Sequence, residues 1–322
     1  MPEFANASYE TLGKTTVNFM HSDCSLVSLS SLGVLRVHGA DALSFLQGQL
    51  SNDVTLLTQP RALLAGYHNP QGRVIALLRL VQVAPGEVLA VLPRELIGTV
   101  ASRLAKFVLR ARVQLADESA QWQLGGLIAA ARSAGNALPA EINGTAVIAG
   151  TVAVRLAAEP ARWLLLTPVT HKPPLDECTV AAPQLWQRLA IAAGEPQVYA
   201  PTSEEFVAQM LNLDALGAVD FDKGCYTGQE VIARAHFRGR VKRRMQRFVS
   251  TAPALLQPAD AGVLDDGRPF KVVDAVALDD GRCEFLAVTP LERDVTERPA
   301  AEGASATPLR AQPLALPYRL PE

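Results

Sequence analysis

Apolar residues in the first third of the chain follow two periods, one typical of helices and one of strands. Residues 33–54 predict a strand, a turn and then a helix capped by Asp41. Residues 94–113 carry apolar side chains three and four positions apart, which predicts a second amphipathic helix. Residues 62–83 hold two apolar runs around the turn sequence at 69–72, and a further apolar run fills 85–93. Such runs around Pro and Gly predict a β-hairpin and a third strand. Because helices and strands do not alternate regularly, the pattern indicates an α+β fold.

The rest of the chain changes from mixed elements to strands alone. Residues 119–170 carry further strand patterns, 183–194 predict a short helix with Pro at its start and Gly at its end, and 202–216 predict a capped helix. From Arg243 onward, apolar and polar positions alternate around two Asp-Asp-Gly-Arg turns, which predicts a small all-β unit. Residues 299–308 are rich in small residues and predict a surface loop.

Length and composition fit a folded protein of several units. The chain has 322 residues, of which 49% are hydrophobic and 19% charged. A chain of this length is expected to form more than one hydrophobic core. We expect an α+β domain at 24–118, a second at 119–242 and a β domain at 243–322. No apolar stretch reaches the roughly 18 residues of a membrane helix, and the first residues lack the pattern of a secretory signal. A cytoplasmic protein without membrane contact is expected.

The four cysteines are widely separated. They are Cys24, Cys178, Cys225 and Cys283, and no two form a Cys-x-x-Cys pair. The spacing of a zinc or iron–sulfur ligand set is therefore missing, and no metal site is expected. For a cytosolic protein the expectation is four reduced, separate thiols.

One of these cysteines lies in an unusual turn, DKGCYTGQE. Thr227 and Glu230 have the spacing of a capping box, so Cys225 is predicted just outside a helix N-terminus. There the helix dipole and Lys223 would favour a thiolate. Gly224 is expected to relieve a clash in the turn. The alternative is a small, buried and inert Cys225 in a corner beside a solvated lysine, and the local features alone favour that alternative.

A basic run follows the turn. It contains no acidic residue and comprises Arg234, Arg238, Arg240, Lys242, Arg243, Arg244 and Arg247. Such a run neutralises phosphates, and Phe237 within it is able to stack on a nucleic-acid base. The commoner origin of a charge run is a solvated face, here near a domain junction. The formal net charge of −2 argues against a general affinity for polyanions.

The turn resembles the signature K-G-C-Y-x-G-Q-E of the YgfZ family of folate-binding proteins. Residues 45–54 (FLQGQLSNDV) are similar to that family's first helix, 211–243 match it almost throughout, and LPYRL near the end is similar to its tail. The resemblance spans about 26–320. An eight-residue signature is far more specific than a lone glycine motif, so it favours a role for Lys223 and Cys225.

The resemblance implies a fold like that of the glycine-cleavage T-protein, with three domains in a ring and a small C-terminal β-barrel. It also implies a tetrahydrofolate site and a role in the upkeep of iron–sulfur enzymes, such as a tRNA methylthiotransferase, and hence in tRNA modification. Lys223 and Cys225 are the expected catalytic residues. The residues expected to bind folate are Leu32, Trp186, Tyr226, Gln229, Glu230 and Arg234, with Arg238 as an alternative cation.

The sequence departs from the T-protein where that enzyme carries carboxylates. Ala76 and Leu77 stand at those positions and neither accepts a proton, so aminomethyl transfer is not expected. Ala192 stands where the T-protein has a glutamate that binds the pterin. Leu32 stands near the position at which the YgfZ pattern has one of its two tryptophans. Three functions remain open: a folate-dependent accessory protein, a one-carbon transferase with Cys225 as nucleophile, and an RNA-binding module at 234–247. Direct RNA binding ranks last because the total charge is negative.

Overall fold

The structure is a computed structural model that describes residues 24–129, 137–173, 178–239, 241–291 and 308–321. The chain forms two compact units, each assembled from separate stretches. The first unit contains the chain up to Ala42, Thr55–Leu63 and Arg79–Pro183, and the second contains Leu43–Val54, Leu64–Leu78 and the chain from Gln184 onward. The division into three domains at 24–118, 119–242 and 243–322 stays a prediction.

Strands outnumber helices in the described part of the chain. The strands are β1 (Cys24–Ser28), β2 (Leu32–His38), β3 (Leu63–His68), β4 (Val74–Ala84), β5 (Glu87–Pro93), β6 (Gln114–Asp117), β7 (Trp122–Ala129), β8 (Thr145–Ile148), β9 (Thr151–Ala157), β10 (Ala161–Pro168), β11 (Thr179–Ala181), β12 (Arg243–Ser250), β13 (Ala261–Val263), β14 (Pro269–Ala277), β15 (Cys283–Pro290) and β16 (Ala311–Leu314). The α-helices are α1 (Ala42–Gln47), α2 (Ile97–Ala105), α3 (Pro183–Ala192) and α4 (Gln229–Phe237).

Three sheets carry the cores. Their strand orders are β11-β1-β7-β10-β9-β8, β3-β4-β5-β2-β6 and β13-β14-β15-β12-β16. In the first sheet, Leu127, Trp163 and Leu165 pack into one buried cluster. In the last sheet, the rings of Phe248 and Phe285 stack with their centroids 5.5 Å apart. Mixed sheets with few helices confirm the α+β prediction.

The predicted hairpins and turns are confirmed. Strands β3 and β4 flank the turn at 69–72, and Gly72 there has a φ of +71°. Gly267 and Gly281 of the two Asp-Asp-Gly-Arg turns adopt φ values of +87° and +80°. Glycine is favoured in this left-handed region because it lacks a Cβ.

The C-terminal sheet has antiparallel neighbours throughout. One isolated parallel bridge joins Leu264, next to β13, to Leu309, near β16. A single bridge is not a ladder of hydrogen bonds, so the closed barrel stays a prediction. The three-domain ring stays a prediction as well. The surface loop expected at 299–308 lies, except for its last residue, outside the described residues.

Two helix predictions need correction. The helix expected within 94–113 ends at Ala105, so Phe107 lies beyond it and is 47% exposed. The helix expected at 202–216 is wrong, because this segment contains a short 3₁₀ helix at Ala208–Leu211 and the last residue of another at Ala200–Thr202, but no α-helix. Asn212 ends that turn in the left-handed conformation, at a φ of 57°, and its side-chain amide donates to the carbonyl of Met245. No helix in the described ranges has the length and apolarity to span a membrane.

The expectation of four reduced thiols is wrong for one pair. Cys24 and Cys178 form a disulfide, with their Cα atoms 5.0 Å apart. Strands β1 and β11 pair in parallel directly after these two residues, which brings the Cα atoms within disulfide range. Cys225 and Cys283 are free, and they differ in that Cys225 is exposed and Cys283 is buried.

Candidate functional site

An aspartate two residues before the signature turn (222–230) organises the backbone of the turn. One carboxylate oxygen of Asp220 accepts hydrogen bonds from the backbone N–H groups of Asp222 and Lys223, at 2.8 and 2.9 Å. The N–H of Asp220 in turn donates to the carbonyl of Ser51, at 2.9 Å. An aspartate that accepts from backbone groups two and three residues later is typical of a tight turn. Asp220 therefore fixes the direction in which Lys223 leaves the backbone.

The side chain of Lys223 is buried, not solvated. Its Nζ atom donates to three backbone carbonyls in the segment after the start of α1: Gln47 at 2.7 Å, Leu50 at 2.5 Å and Asn52 at 2.9 Å. An ammonium has three donors, and all three are used here. Carbonyls at the end of a helix have no partner within the helix and favour a cation. Lys223 therefore acts as an anchor between the turn and the end of α1.

The charge of this lysine is affected by its burial. Desolvation lowers the pKa of the Lys223 ammonium to about 8, while the nearby carboxylates of Asp53 and Asp220 act in the opposite direction. The ammonium is therefore mostly protonated at pH 7, which its three carbonyl bonds require. The expected catalytic role of Lys223 stays a prediction; any such role would have to release at least one of these bonds.

Tyr226 provides a second anchor. Its side chain is 8% exposed, and the Nζ atom of Lys223 lies 5.1 Å from the centre of its ring. Burial raises the pKa of the Tyr226 hydroxyl to about 12. The ring of His68, at the end of β3, lies 6.2 Å from that of Tyr226. Burial lowers the pKa of His68 to about 3, so this imidazole is neutral at physiological pH.

Gly228 is a third anchor, and it corrects the predicted capping box. Gly228 is the N-cap of α4 in the left-handed conformation, with a φ of +83°, so the helix begins one residue later than Thr227 would require. A Cβ at this position would lie 2.5 Å from the carbonyl oxygen of Asn69 and 3.0 Å from Cα of Gly72. The hairpin turn at 69–72 thus packs directly against the signature turn and leaves room only for glycine.

Gly224 and Cys225 lie on the open side of the turn. Apart from its chain neighbours, no described residue has an atom within 4 Å of where a Cβ of Gly224 would lie, and its φ is outside the left-handed region. The expected clash at Gly224 is therefore absent in the described structure. Cys225 is a free, exposed cysteine. The buried alternative for Cys225 is wrong, and its neighbour Lys223 points into the protein while Cys225 remains accessible.

Trp186 lies on α3 and is partly exposed. The next residue, Gln187, donates from Nε2 to the carboxylate of Asp274 at 2.7 Å and to the carbonyl of Ala275 at 3.1 Å. Tyr199 donates to the other oxygen of Asp274 at 3.0 Å. Burial raises the pKa of Asp274 to about 6, against the effect of these hydrogen bonds. This network fixes α3 directly beside Trp186.

The remaining residues expected to bind folate are distributed over both units. Gln229 is partly buried at the start of α4. Glu230 and Arg234 form an i,i+4 ion pair at 3.7 Å, with side chains 90% and 74% exposed, so they contribute little to stability. Leu32 begins β2 in the first unit, where it pairs with Pro93. The folate roles of these residues stay predictions.

Comparison with known proteins identifies the family, although no family model matches the chain. The chain is 31% identical over 315 residues to the tRNA-modifying protein YgfZ of Cronobacter sakazakii, covering 92% of this chain and 94% of that protein.

The chain belongs to the YgfZ family.

The YgfZ protein of Escherichia coli O7:K1 is 30% identical, with 92% of this chain and 94% of that protein covered. Among solved structures, the aminomethyltransferase T of the glycine cleavage system from Bartonella henselae matches with a TM-score of 0.65 and 13% identity. That match covers 84% of this chain and 79% of the aminomethyltransferase. At this identity the match shows the fold alone, so this YgfZ family member has the T-protein fold.

This YgfZ family member has an apolar strand where the resemblance to the T-protein would place carboxylates. Ala76 and Leu77 in β4 are 0% and 4% exposed. A buried alanine and leucine offer no group that takes up or donates a proton. Ala192, the last residue of α3, is equally without a hydrogen-bonding side chain. Within the described residues, no group of three or more His, Cys, Asp or Glu side chains is placed to hold a metal ion.

Two features of the signature turn and its surroundings were not predicted from the sequence. The first is His68, which is fully buried; among the described residues neither ring nitrogen has a hydrogen-bond partner. The available signal was its position directly before the turn at 69–72. The second is the set of carbonyls that hold Lys223. Every residue has the same backbone carbonyl, so the sequence does not indicate which carbonyls will bind a lysine.

Proposed function

We propose that this YgfZ family member is a tetrahydrofolate-binding accessory protein that supports iron–sulfur enzymes and, through them, tRNA modification in the cytoplasm. One observation carries the proposal: the signature turn is anchored by Lys223, Tyr226 and Gly228, while Cys225 is exposed on it. Burying an ammonium is costly unless it is fully hydrogen-bonded. A buried and fully hydrogen-bonded lysine in a turn is expected where the position of a neighbouring exposed group, here Cys225, matters for function. The relatives' name supports the link to tRNA modification.

The residues of the second unit fit the chemistry of folate. Folate has a flat pterin, which needs an apolar face and hydrogen-bonding groups, and an acidic tail, which needs a cation. Trp186 presents a partly exposed indole, Gln229 an amide and Arg234 an exposed guanidinium. We expect Trp186 to contact the pterin and Arg234 the tail, with Arg238 as the alternative cation. Tetrahydrofolate, when bound, would supply a carrier of one-carbon groups.

A titration with tetrahydrofolate tests this assignment. Replacing Trp186 by alanine removes the indole, and loss of an aromatic stack costs about 1–3 kcal/mol, so the affinity should fall about 5- to 150-fold. Leu185→Ala is the matched control, because Leu185 is the neighbouring residue on α3 and is 38% exposed. That control should bind normally. Unchanged affinity in Trp186→Ala would show that the indole does not contact the ligand.

The exposure of Cys225 also favours a second candidate, a one-carbon transferase that uses this thiol as its nucleophile. Attack of the thiolate on the methylene carbon of methylene-tetrahydrofolate would form a carbon–sulfur bond and open the bridge between the two folate nitrogens. Mass spectrometry of the intact protein, after incubation with methylene-tetrahydrofolate, separates the candidates. An adduct that is absent from Cys225→Ala supports the transferase; an accessory protein should show none.

A further inference from the structure

An aromatic cluster lies at the end of α4, next to the signature turn. The ring of Phe221 stacks on that of His236, with centroids 3.7 Å apart and planes 13° apart. Phe237 stands edge-on to both rings, at 6.0 Å from Phe221 and 4.7 Å from His236. Edge-to-face contacts of this kind are favourable arrangements of aromatic rings. The cluster therefore holds Phe237 in a defined orientation.

Phe237 nevertheless remains largely outside the core, since it is 66% exposed. A phenylalanine that is held by neighbouring rings and still accessible presents a flat apolar surface. Single exposed apolar residues are common and need no explanation by themselves. The cluster differs from them because three rings meet there and because cations lie on both sides of Phe237 in the chain.

The cations around Phe237 are exposed. Arg234 lies three residues before Phe237, so these two share one side of α4. Arg238 follows Phe237 directly as the C-cap of α4 and is exposed. Lys242 and Arg243 follow at the start of β12 and are exposed as well. No acidic residue occurs from Arg234 to Arg243.

The acidic residues nearest to this stretch come before it in the chain. Glu230 pairs with Arg234, and Asp222 lies in the signature turn beside Phe221. From Asp222 to Arg243 the sequence contains two acidic and six basic residues. We call the surface formed by Phe221, Arg234, His236, Phe237 and Arg238 the aromatic–basic surface.

We propose that the aromatic–basic surface binds RNA through an unpaired segment, with a base stacked on Phe237 and phosphates on the surrounding arginines. Aromatic rings beside cations are the usual means of binding single strands, because every base has a flat face and every nucleotide a phosphate. An acidic protein segment would use the cations but would gain little from Phe237. The inference rests on the proposed role in tRNA modification, and it adds a direct contact with the RNA, which the net charge of the chain had made the least expected function.

Arg234 and Arg238 belong to both assignments, but Phe237 belongs to the RNA proposal alone, so variants of Phe237 allow either proposal to fail without the other. Phe237 is not among the residues assigned to folate. Phe237→Ala should therefore keep the tetrahydrofolate affinity of the wild type while RNA binding falls. Loss of both would point to a disturbed fold, which the thermal midpoint of the variant detects separately.

Fluorescence anisotropy with a labelled, unstructured RNA of about 12 nucleotides tests the proposal on the full chain. Stacking is worth about 1–3 kcal/mol per base, so Phe237→Ala should weaken binding about 5- to 150-fold without changing its salt dependence. Arg238→Gln should reduce the slope of log affinity against log salt by about 0.7. Phe237→Trp should restore binding, because it keeps an aromatic face.

Two matched controls lie elsewhere in the second unit. Leu255→Ala removes another exposed apolar side chain, 81% exposed, and Arg319→Gln removes another exposed cation. Neither should change RNA affinity or its salt slope by as much as the corresponding surface variant. The proposal is overturned if the protein does not bind RNA at low salt, or if Phe237→Ala binds like the wild type. It is also overturned if an acidic peptide or an RNA duplex binds more tightly than the single strand.

Discussion

The signature turn and the Asp-Asp-Gly-Arg turn at 279–282 share their first steps but are completed differently. In the turn at 279–282, Asp280 accepts from the N–H of Arg282 at 3.1 Å and from its guanidinium at 2.7 Å. The side chain of Arg282 therefore bonds within its own turn. In the signature turn, Asp220 accepts from the N–H of Lys223 at 2.9 Å, but the lysine side chain reaches carbonyls more than 170 positions earlier in the chain. A turn held by its own side chains only reverses the chain direction. A turn whose side chains bond to distant segments also fixes the position of the residue that it exposes, here Cys225.

Among the variants that test this comparison, Lys223→Met should cause the largest loss in the free energy of unfolding. The change keeps the apolar stem but leaves three buried carbonyls without their donor, and an unsatisfied buried group costs about 1–3 kcal/mol. We expect a loss of about 3 kcal/mol or more in the free energy of unfolding, measured by urea denaturation.

Arg282→Met is the matched control for that variant. Its ion pair with Asp280 is on the surface, with side chains 41% and 53% exposed, and such pairs contribute about 0–1 kcal/mol. Equal losses in the two variants would mean that the signature turn is held no more firmly than an ordinary hairpin.

The two glycines of the signature turn offer the same comparison on a smaller scale. Replacing Gly228, on the packed side, should cost more stability than replacing Gly224, on the open side. Gly228→Ala combines the left-handed backbone, which costs about 1–2 kcal/mol in other residues, with contact against the hairpin turn. We expect a loss of about 2–3 kcal/mol there. Gly224→Ala meets open space and a permissive backbone, so its free energy of unfolding should stay within about 0.5 kcal/mol of the wild type. Reversed effects would place the packed side of the turn at Gly224.

Local patterns predicted much of the fold. The hairpin at 62–83 and the helix at 183–194 follow from periodicity and from Pro and Gly at their ends, because these signals act within a few residues. The helix at 202–216 failed because Asn212 takes the left-handed conformation in a tertiary hydrogen bond with Met245. Propensity is a weak guide where tertiary contacts decide the backbone.

The site was predictable only in its residue types. The signature named Lys223 and Cys225, but their opposite environments depend on partners that are distant in sequence. Lys223 is buried because the carbonyls of Gln47, Leu50 and Asn52 converge on it, and carbonyls carry no sequence signal. The disulfide between Cys24 and Cys178 was missed for a similar reason, since strand pairing brings together residues 154 positions apart.

The most direct test of the central claim is complementation with Cys225→Ala in cells that lack the protein, with the level of tRNA methylthiolation as the measurement. Because Cys225 is exposed, its replacement should leave the thermal midpoint unchanged. If the anchored turn serves to present this thiol, methylthiolation should stay at the level of cells without the protein. Full recovery of methylthiolation by Cys225→Ala would contradict the account.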